Sequence, residues 1–119
     1  MKRWLKSFSH AWRGLMFAYR HERNFRIHLF FAVVVAALAI LFRINGLELA
    51  LIILLVLAVL VLELVNSALE HFLDVLVPRF DVHAERVKNI LAGAMLLVSI
   101  GAAVGGIILF LPHVLKVFT

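Results

Sequence analysis

The sequence predicts an all-α membrane protein, in which an N-terminal amphipathic helix at the membrane surface precedes three transmembrane helices. Two observations carry this prediction. Apolar residues make up 65% of the 119 residues, whereas an ordinary soluble domain contains about 45–50%. They fall in three long runs separated by short polar stretches, and each run is close to the length that a bilayer requires. A chain this short is expected to form a single domain over residues 1–119.

Residues 1–24 are predicted to form the surface helix. Their apolar residues recur at helical spacing, and their basic residues fall mainly on the other side of the helix. Aromatic side chains opposite basic side chains are typical of a helix lying in the lipid–water interface. The apolar side consists of Trp4, Leu5, Phe8, Trp12, Leu15, Met16 and Tyr19.

The first two transmembrane helices are predicted over residues 27–42 and 47–76. Between them, Asn45-Gly46 is a turn signal. In the second helix, the helical pattern continues beyond the apolar run until Pro78. About 30 residues of helix are about 45 Å long, so this helix should project beyond the membrane.

A polar connection is predicted over residues 75–89, followed by a third transmembrane helix over residues 90–111. Pro112 is expected to mark the end of that helix, because proline cannot donate the backbone hydrogen bond that continues it.

The distribution of charge predicts the orientation. The net charge is +5, and Lys and Arg accumulate in cytoplasmic segments of membrane proteins. We therefore expect a multi-pass protein of the bacterial inner membrane with a cytoplasmic N-terminus and an external C-terminus. Anionic membrane lipids account for the basic charge, so no nucleic-acid partner is expected. The basic residues before the first apolar run are Lys2, Arg3, Lys6, Arg13, Arg20, Arg23 and Arg26.

A polar stripe on the second helix predicts a chemical site. Glu63, Asn66, Glu70 and Asp74 lie within roughly 60–80° of one another at 100° per residue. A helix that has left the membrane and faces water is the simpler explanation, but such a face would more usually mix Lys with Glu. Neighbouring carboxylates repel each other unless a cation neutralises them. Mg²⁺ typically takes one or two carboxylates together with substrate phosphates.

The stripe also resembles the signature of the prokaryotic diacylglycerol kinase family, which includes the Gram-positive undecaprenol kinases. The resemblance covers nearly the whole chain, and the Glu22–His28 segment is more similar to the undecaprenol kinases. The matching segments, in order, are Phe8, Trp12–Leu15, Glu22–His28, Glu63–Asp74, and Lys88 with Ala92–Ala94.

The resemblance implies a homotrimer whose active sites are shared between neighbouring chains. It also implies an ATP- and Mg²⁺-dependent kinase that phosphorylates a membrane lipid alcohol. Glu63 would be the general base on the lipid hydroxyl, and Glu22 and Glu70 would hold the metal that bridges the ATP phosphates. Asn66 and Lys88 would position and neutralise phosphate oxygens.

Further nucleotide contacts are implied at Arg3, His10, Arg79, Asp81 and Asn89. The last position departs from the family, which normally has Asp where this chain has Asn89. Asparagine keeps the shape of aspartate but loses its charge.

Several alternatives remain open. Undecaprenol is the first choice of substrate, and diacylglycerol, which would give phosphatidic acid, is the second. A non-catalytic relative that binds lipid would explain Asn89, and a small transporter could use buried carboxylates as a proton relay. His28 is interpreted as a packing or headgroup residue and His71 as a plain interfacial histidine. The chain contains no cysteine, which excludes disulfides and thiolate chemistry.

Overall fold

The computed structural model describes residues 2–119, and four helices account for nearly all of them. Three of these helices are long and apolar enough to cross a membrane. This confirms the predicted all-α class with three spanning helices after an N-terminal helix. The helices are α1 (Lys2–His21), α2 (Arg23–Leu41), α3 (Gly46–Leu76) and α4 (Val82–Phe118).

The corner between α1 and α2 is held by hydrogen bonds around Glu22. The backbone N–H of Glu22, the extended residue between the two helices, donates to the carbonyl of Ala18 at 2.8 Å. The guanidinium of Arg26 donates to the carbonyls of Tyr19 at 2.8 Å and Arg20 at 3.2 Å. These bonds satisfy carbonyls that the end of a helix leaves without partners, and they fix the direction in which α2 leaves α1.

The turn between α2 and α3 lies where Asn45-Gly46 predicted it. Arg43, just after α2, has a φ angle of 54°, the left-handed conformation that commonly ends a helix. Gly46, the first residue of α3, has a φ angle of 63°, which glycine adopts without strain. Ile44 is buried and packs with Ala39 and Ile52 in a small core at this end of the molecule.

The connection between α3 and α4 is shorter than the sequence predicted. The expected polar segment over residues 75–89 is wrong, because α3 ends at Leu76 and α4 begins at Val82. The side chain of Asp81 accepts a hydrogen bond from the backbone N–H of Ala84 at 3.0 Å. This N-cap starts the helix, so Glu85, Arg86 and Lys88 lie in the first turns of α4, while Arg79 and Asp81 stay in the connection.

The third transmembrane helix was expected to end at Pro112. In the structure it continues to Phe118. Proline is tolerated inside membrane helices when neighbouring groups satisfy the freed backbone carbonyls. At the next residue, His113 Nε2 lies 2.6 Å from Glu48 Oε2 at the start of α3. This contact ties the two helix ends together on the side of the membrane opposite to the α3–α4 connection.

Most large apolar side chains of the helices are exposed, as expected for surfaces that meet lipid or other helices. Close packing between helices occurs at Gly105, where an added Cβ would lie 2.9 Å from Leu55 Cδ1. An apolar groove of about 560 Å³ runs between α2, α3 and α4, with His28 among its lining residues.

Candidate functional site

The carboxylate of Glu63 is buried although it lies on an otherwise apolar helix. The residue is 2% exposed, and its Oε2 atom lies 3.6 Å from Nε2 of His28 on α2. A buried ionised carboxylate is costly unless a partner compensates for the lost hydration. Residues on two different helices therefore create the environment of Glu63.

Glu22 and Glu70 lie around Glu63. Their carboxylates are close enough for their charges to act on that of Glu63. Glu22 is brought there by the α1–α2 corner, while Glu70 lies two turns after Glu63 on α3. Phe17 helps to hold α1 against this part of α3, since its ring meets the edge of the His71 ring with centroids 6.0 Å apart.

Glu22 and Glu70 are the carboxylates to which the resemblance assigns a divalent cation. Within residues 2–119, neither Lys nor Arg forms an ion pair with any of them. Mutually repelling carboxylates without basic partners are stabilised by a cation. The structure contains no group of three His, Asp or Glu side chains in ligating positions within that range. Two carboxylates with phosphate oxygens and water are nevertheless a common Mg²⁺ ligand set.

Two buried polar atoms beside Glu63 lack hydrogen-bond partners within residues 2–119: Asn66 Oδ1 and Ser67 Oγ. Leaving such an atom unsatisfied costs about 1–3 kcal/mol. Asn66 Oδ1 can only accept, so it fits a water molecule or a metal-bound water, whereas the Ser67 hydroxyl can also donate to a phosphate oxygen. Asn66 was predicted as a site residue; it is buried one turn after Glu63, and its role stays a prediction.

The far end of the stripe is paired with α4. Nζ of Lys88 donates a hydrogen bond of 2.5 Å to Oδ1 of Asp74. The two side chains are 38% and 62% exposed, so the pair lies at the surface. Asn89 follows Lys88 and is exposed. The stripe thus runs from a buried carboxylate to an exposed ion pair.

Comparison with known proteins identifies the family. The model of the prokaryotic diacylglycerol kinases matches residues 9–110. The chain belongs to the prokaryotic diacylglycerol kinase family.

Two relatives from this family of lipid kinases match almost the whole chain. A diacylglycerol kinase from Synechocystis sp. is 39% identical over 113 residues, which cover 94% of this chain and 65% of the relative. An undecaprenol kinase from Bacillus subtilis is 34% identical over 112 residues, which cover 94% of this chain and 91% of the relative. The chain therefore spans about two thirds of the length of the first relative.

The nucleotide contacts that the kinase family implies are not all near Glu63 in a single chain. Arg3 and His10 are exposed on α1, about 28 Å and 18 Å along the helix from Glu22 at 1.5 Å per residue. Asp81 caps α4, and the guanidinium of Arg79 lies 5.8 Å from the ring centroid of Phe80. The structure accounts for Asp81 by a local role, and the nucleotide contacts of these residues stay predictions.

Two residues near the stripe were not predicted as site residues. Ser67 lies inside the matched segment but carries no charge that would single it out. His28, which follows the matched Arg26, was interpreted as a packing or headgroup residue. A histidine in the first turns of an otherwise apolar spanning helix was the available signal, and its partner is visible only in three dimensions.

Proposed function

We propose that this protein transfers the γ-phosphate of ATP to the hydroxyl of a membrane lipid alcohol at the cytoplasmic face of the bacterial inner membrane. Undecaprenol is the first choice of substrate and diacylglycerol the second. The observation that carries the proposal is the burial of Glu63 in the second half of a spanning helix, with His28 in contact and Glu22 and Glu70 acting on its charge. Membership of a kinase family implies ATP as the phosphate donor.

The position of Glu63 along α3 supports a reaction at the membrane boundary. Glu63 lies 17 residues after Gly46, or about 26 Å along the helix. The hydrocarbon core is about 30 Å thick. A helix that enters the core near Gly46 therefore carries Glu63 to the inner edge of the hydrocarbon, where a lipid hydroxyl is found.

The side chains suit phosphoryl transfer, which depends mainly on positioning and charge neutralisation. Glu63 accepts the hydroxyl proton as the lipid oxygen attacks the γ-phosphorus, and ADP leaves. Asn66 and Lys88 bind phosphate oxygens. When bound by Glu22 and Glu70, Mg²⁺ would neutralise charge on the ATP phosphates.

The choice of undecaprenol depends on one segment. The Glu22–His28 sequence is more similar to that of the undecaprenol kinases, whereas the two relatives divide between the two substrates at 34% and 39% identity. Diacylglycerol therefore remains the second candidate.

A homotrimer with shared sites is part of the proposal. Arg3 and His10 lie about 28 Å and 18 Å from Glu22 along α1, and contacts from these residues to a nucleotide in another copy would use them without bending α1. The exposed apolar surfaces of the spanning helices provide area for such an assembly.

Transfer of labelled γ-phosphate from Mg-ATP by the purified protein in lipid–detergent micelles tests the proposal. Undecaprenol and diacylglycerol are offered separately, and Glu63→Gln is compared with Glu85→Gln, which changes an exposed carboxylate on α4. We expect labelled lipid from the wild type and from Glu85→Gln, and a loss of at least about 100-fold in Glu63→Gln. Absence of labelled lipid with both alcohols, from an intact assembly, would refute the kinase proposal and favour a lipid-binding role.

A further inference from the structure

His28 is the residue from another helix that contacts the buried carboxylate of Glu63. The distance from His28 Nε2 to Glu63 Oε2 is 3.6 Å, and the two side chains are 25% and 3% exposed. His28 also lines the groove between α2, α3 and α4, whose other lining residues are almost all apolar. It therefore lies between hydrocarbon on one side and the proposed base on the other.

The charges around Glu63 give this contact its importance. Glu22 and Glu70 place further negative charge near Glu63, and no Lys or Arg within residues 2–119 forms an ion pair with Glu63. Within residues 2–119, His28 is the residue whose side chain forms an ion-pair contact with Glu63.

We infer that His28 is a positioning residue for Glu63, an inference that rests on the proposed kinase function. Its Nε2 lies 3.6 Å from Oε2 of Glu63, which leaves Oε1 to accept the proton of the lipid hydroxyl. Holding a catalytic group in its productive orientation lowers the barrier without any contact to the reacting atoms. The same contact offsets part of the cost of burying the carboxylate.

The distance is compatible with this role. At 3.6 Å it is longer than an ordinary N–H···O hydrogen bond. Catalytic hydrogen bonds are often long before substrate binds and shorten in the complex. A lipid headgroup that displaces water from the site would strengthen the contact, because electrostatic interactions increase as water is excluded.

Two substitutions separate positioning from packing. His28→Gln loses the ring but keeps an amide N–H near the place of Nε2, whereas His28→Phe keeps a ring and loses the donor. A positioning role requires His28→Gln to retain kcat within about threefold, and His28→Phe to lose about tenfold or more. The KM for ATP should stay within about twofold of the wild type in both. A packing role predicts the opposite order of the two variants.

The measurement is kcat and KM for the better lipid alcohol and for ATP, on protein whose oligomeric state and thermal midpoint match the wild type. His83→Gln, at an exposed position on α4, is the matched histidine control and should leave kcat unchanged. Wild-type kcat in His28→Phe, or a greater loss in His28→Gln than in His28→Phe, would overturn the inference. An inactive wild type would refute the kinase proposal itself, so the two failures are distinguishable.

If His28→Phe does not assemble, His28→Leu replaces it and the same comparison with His28→Gln is made. The double variant with Glu63→Gln provides a further readout. Since His28 acts through Glu63, substituting it should cause no additional loss of kcat once Glu63 is glutamine. An additional loss of about tenfold would show that His28 acts independently of Glu63, contrary to the inference.

Discussion

The ammonium of Lys88 lies 2.5 Å from the carboxylate of Asp74, and this ion pair joins the start of α4 to the end of α3. In the proposed reaction, Lys88 neutralises phosphate oxygens. Without nucleotide, it is held by a carboxylate of the same stripe that contains Glu63. A bound triphosphate would therefore compete with Asp74 for Lys88.

Because this ion pair is exposed, we expect Asp74 to contribute little to nucleotide affinity. Asp74→Asn should change the KM for ATP by less than about threefold. Lys88→Ala should raise it about tenfold or more, because a charge-assisted contact to phosphate is lost. Steady-state kinetics at saturating lipid test both values. An Asp74→Asn effect as large as that of Lys88→Ala would show that the ion pair, rather than free Lys88, organises the site.

Glu22 and Glu70 should determine the requirement for the metal. Glu22→Gln and Glu70→Gln each remove one charge from the proposed ligand set, so the Mg²⁺ concentration for half-maximal activity should rise about tenfold or more. Titration of Mg²⁺ at fixed ATP measures this effect, with Glu85→Gln as the control. An unchanged Mg²⁺ requirement in both variants would exclude them as metal ligands.

The resemblance to the family implies an aspartate where this chain has Asn89. It is exposed next to Lys88, so Asn89→Asp adds a charge without burying it. We expect the variant to keep or raise kinase activity, since it restores the family residue. The comparison is kcat and KM for ATP in wild type and variant. A clear loss of activity in an intact assembly would contradict this prediction.

Gly105 and Gly101 should respond differently to the same substitution. A Cβ at Gly105 would lie 2.9 Å from Leu55 Cδ1, whereas nothing lies within 4 Å of a Cβ at Gly101. Alanine is the better helix former at both positions, but only at Gly105 must a neighbouring side chain move. Gly105→Ala should therefore have a lower thermal midpoint in detergent than Gly101→Ala. Equal midpoints would show that Leu55 moves aside at no cost.

The sequence predicted the helices well, because their apolar runs and the helical period of the stripe are local properties. It failed at both ends of α4 for different reasons. The side chain of Asp81 can cap α4 only when Ala84 already lies in a helical turn. The density of charge over residues 75–89 suggested a loop instead. Pro112 ends helices in water, but it is tolerated in a spanning helix.

The arrangement of the polar residues along α3 was predictable from the sequence. The contacts that other helices make with them were not. Spacing alone placed Glu63, Asn66, Glu70 and Asp74 on one face. It could not show that Glu63 is almost fully buried, since that burial comes from α2 and from the α1–α2 corner. The contact of His28 with Glu63 has the same origin, which is why the sequence favoured a packing role for that histidine.

The length of α3 has a mechanical consequence. At 1.5 Å per residue, Asp74 lies about 16 Å beyond Glu63 along the helix. One continuous helix therefore extends from the edge of the hydrocarbon core into water. A lipid alcohol and a water-soluble triphosphate can then meet along this helix without a closing lid. The depth at which they meet depends on the depth of α3 in the bilayer. Bilayer thickness influences that depth. A membrane thicker by a few ångströms would sink Glu63 below the headgroups while Asp74 stayed in water, so the lipid environment itself would tune catalysis.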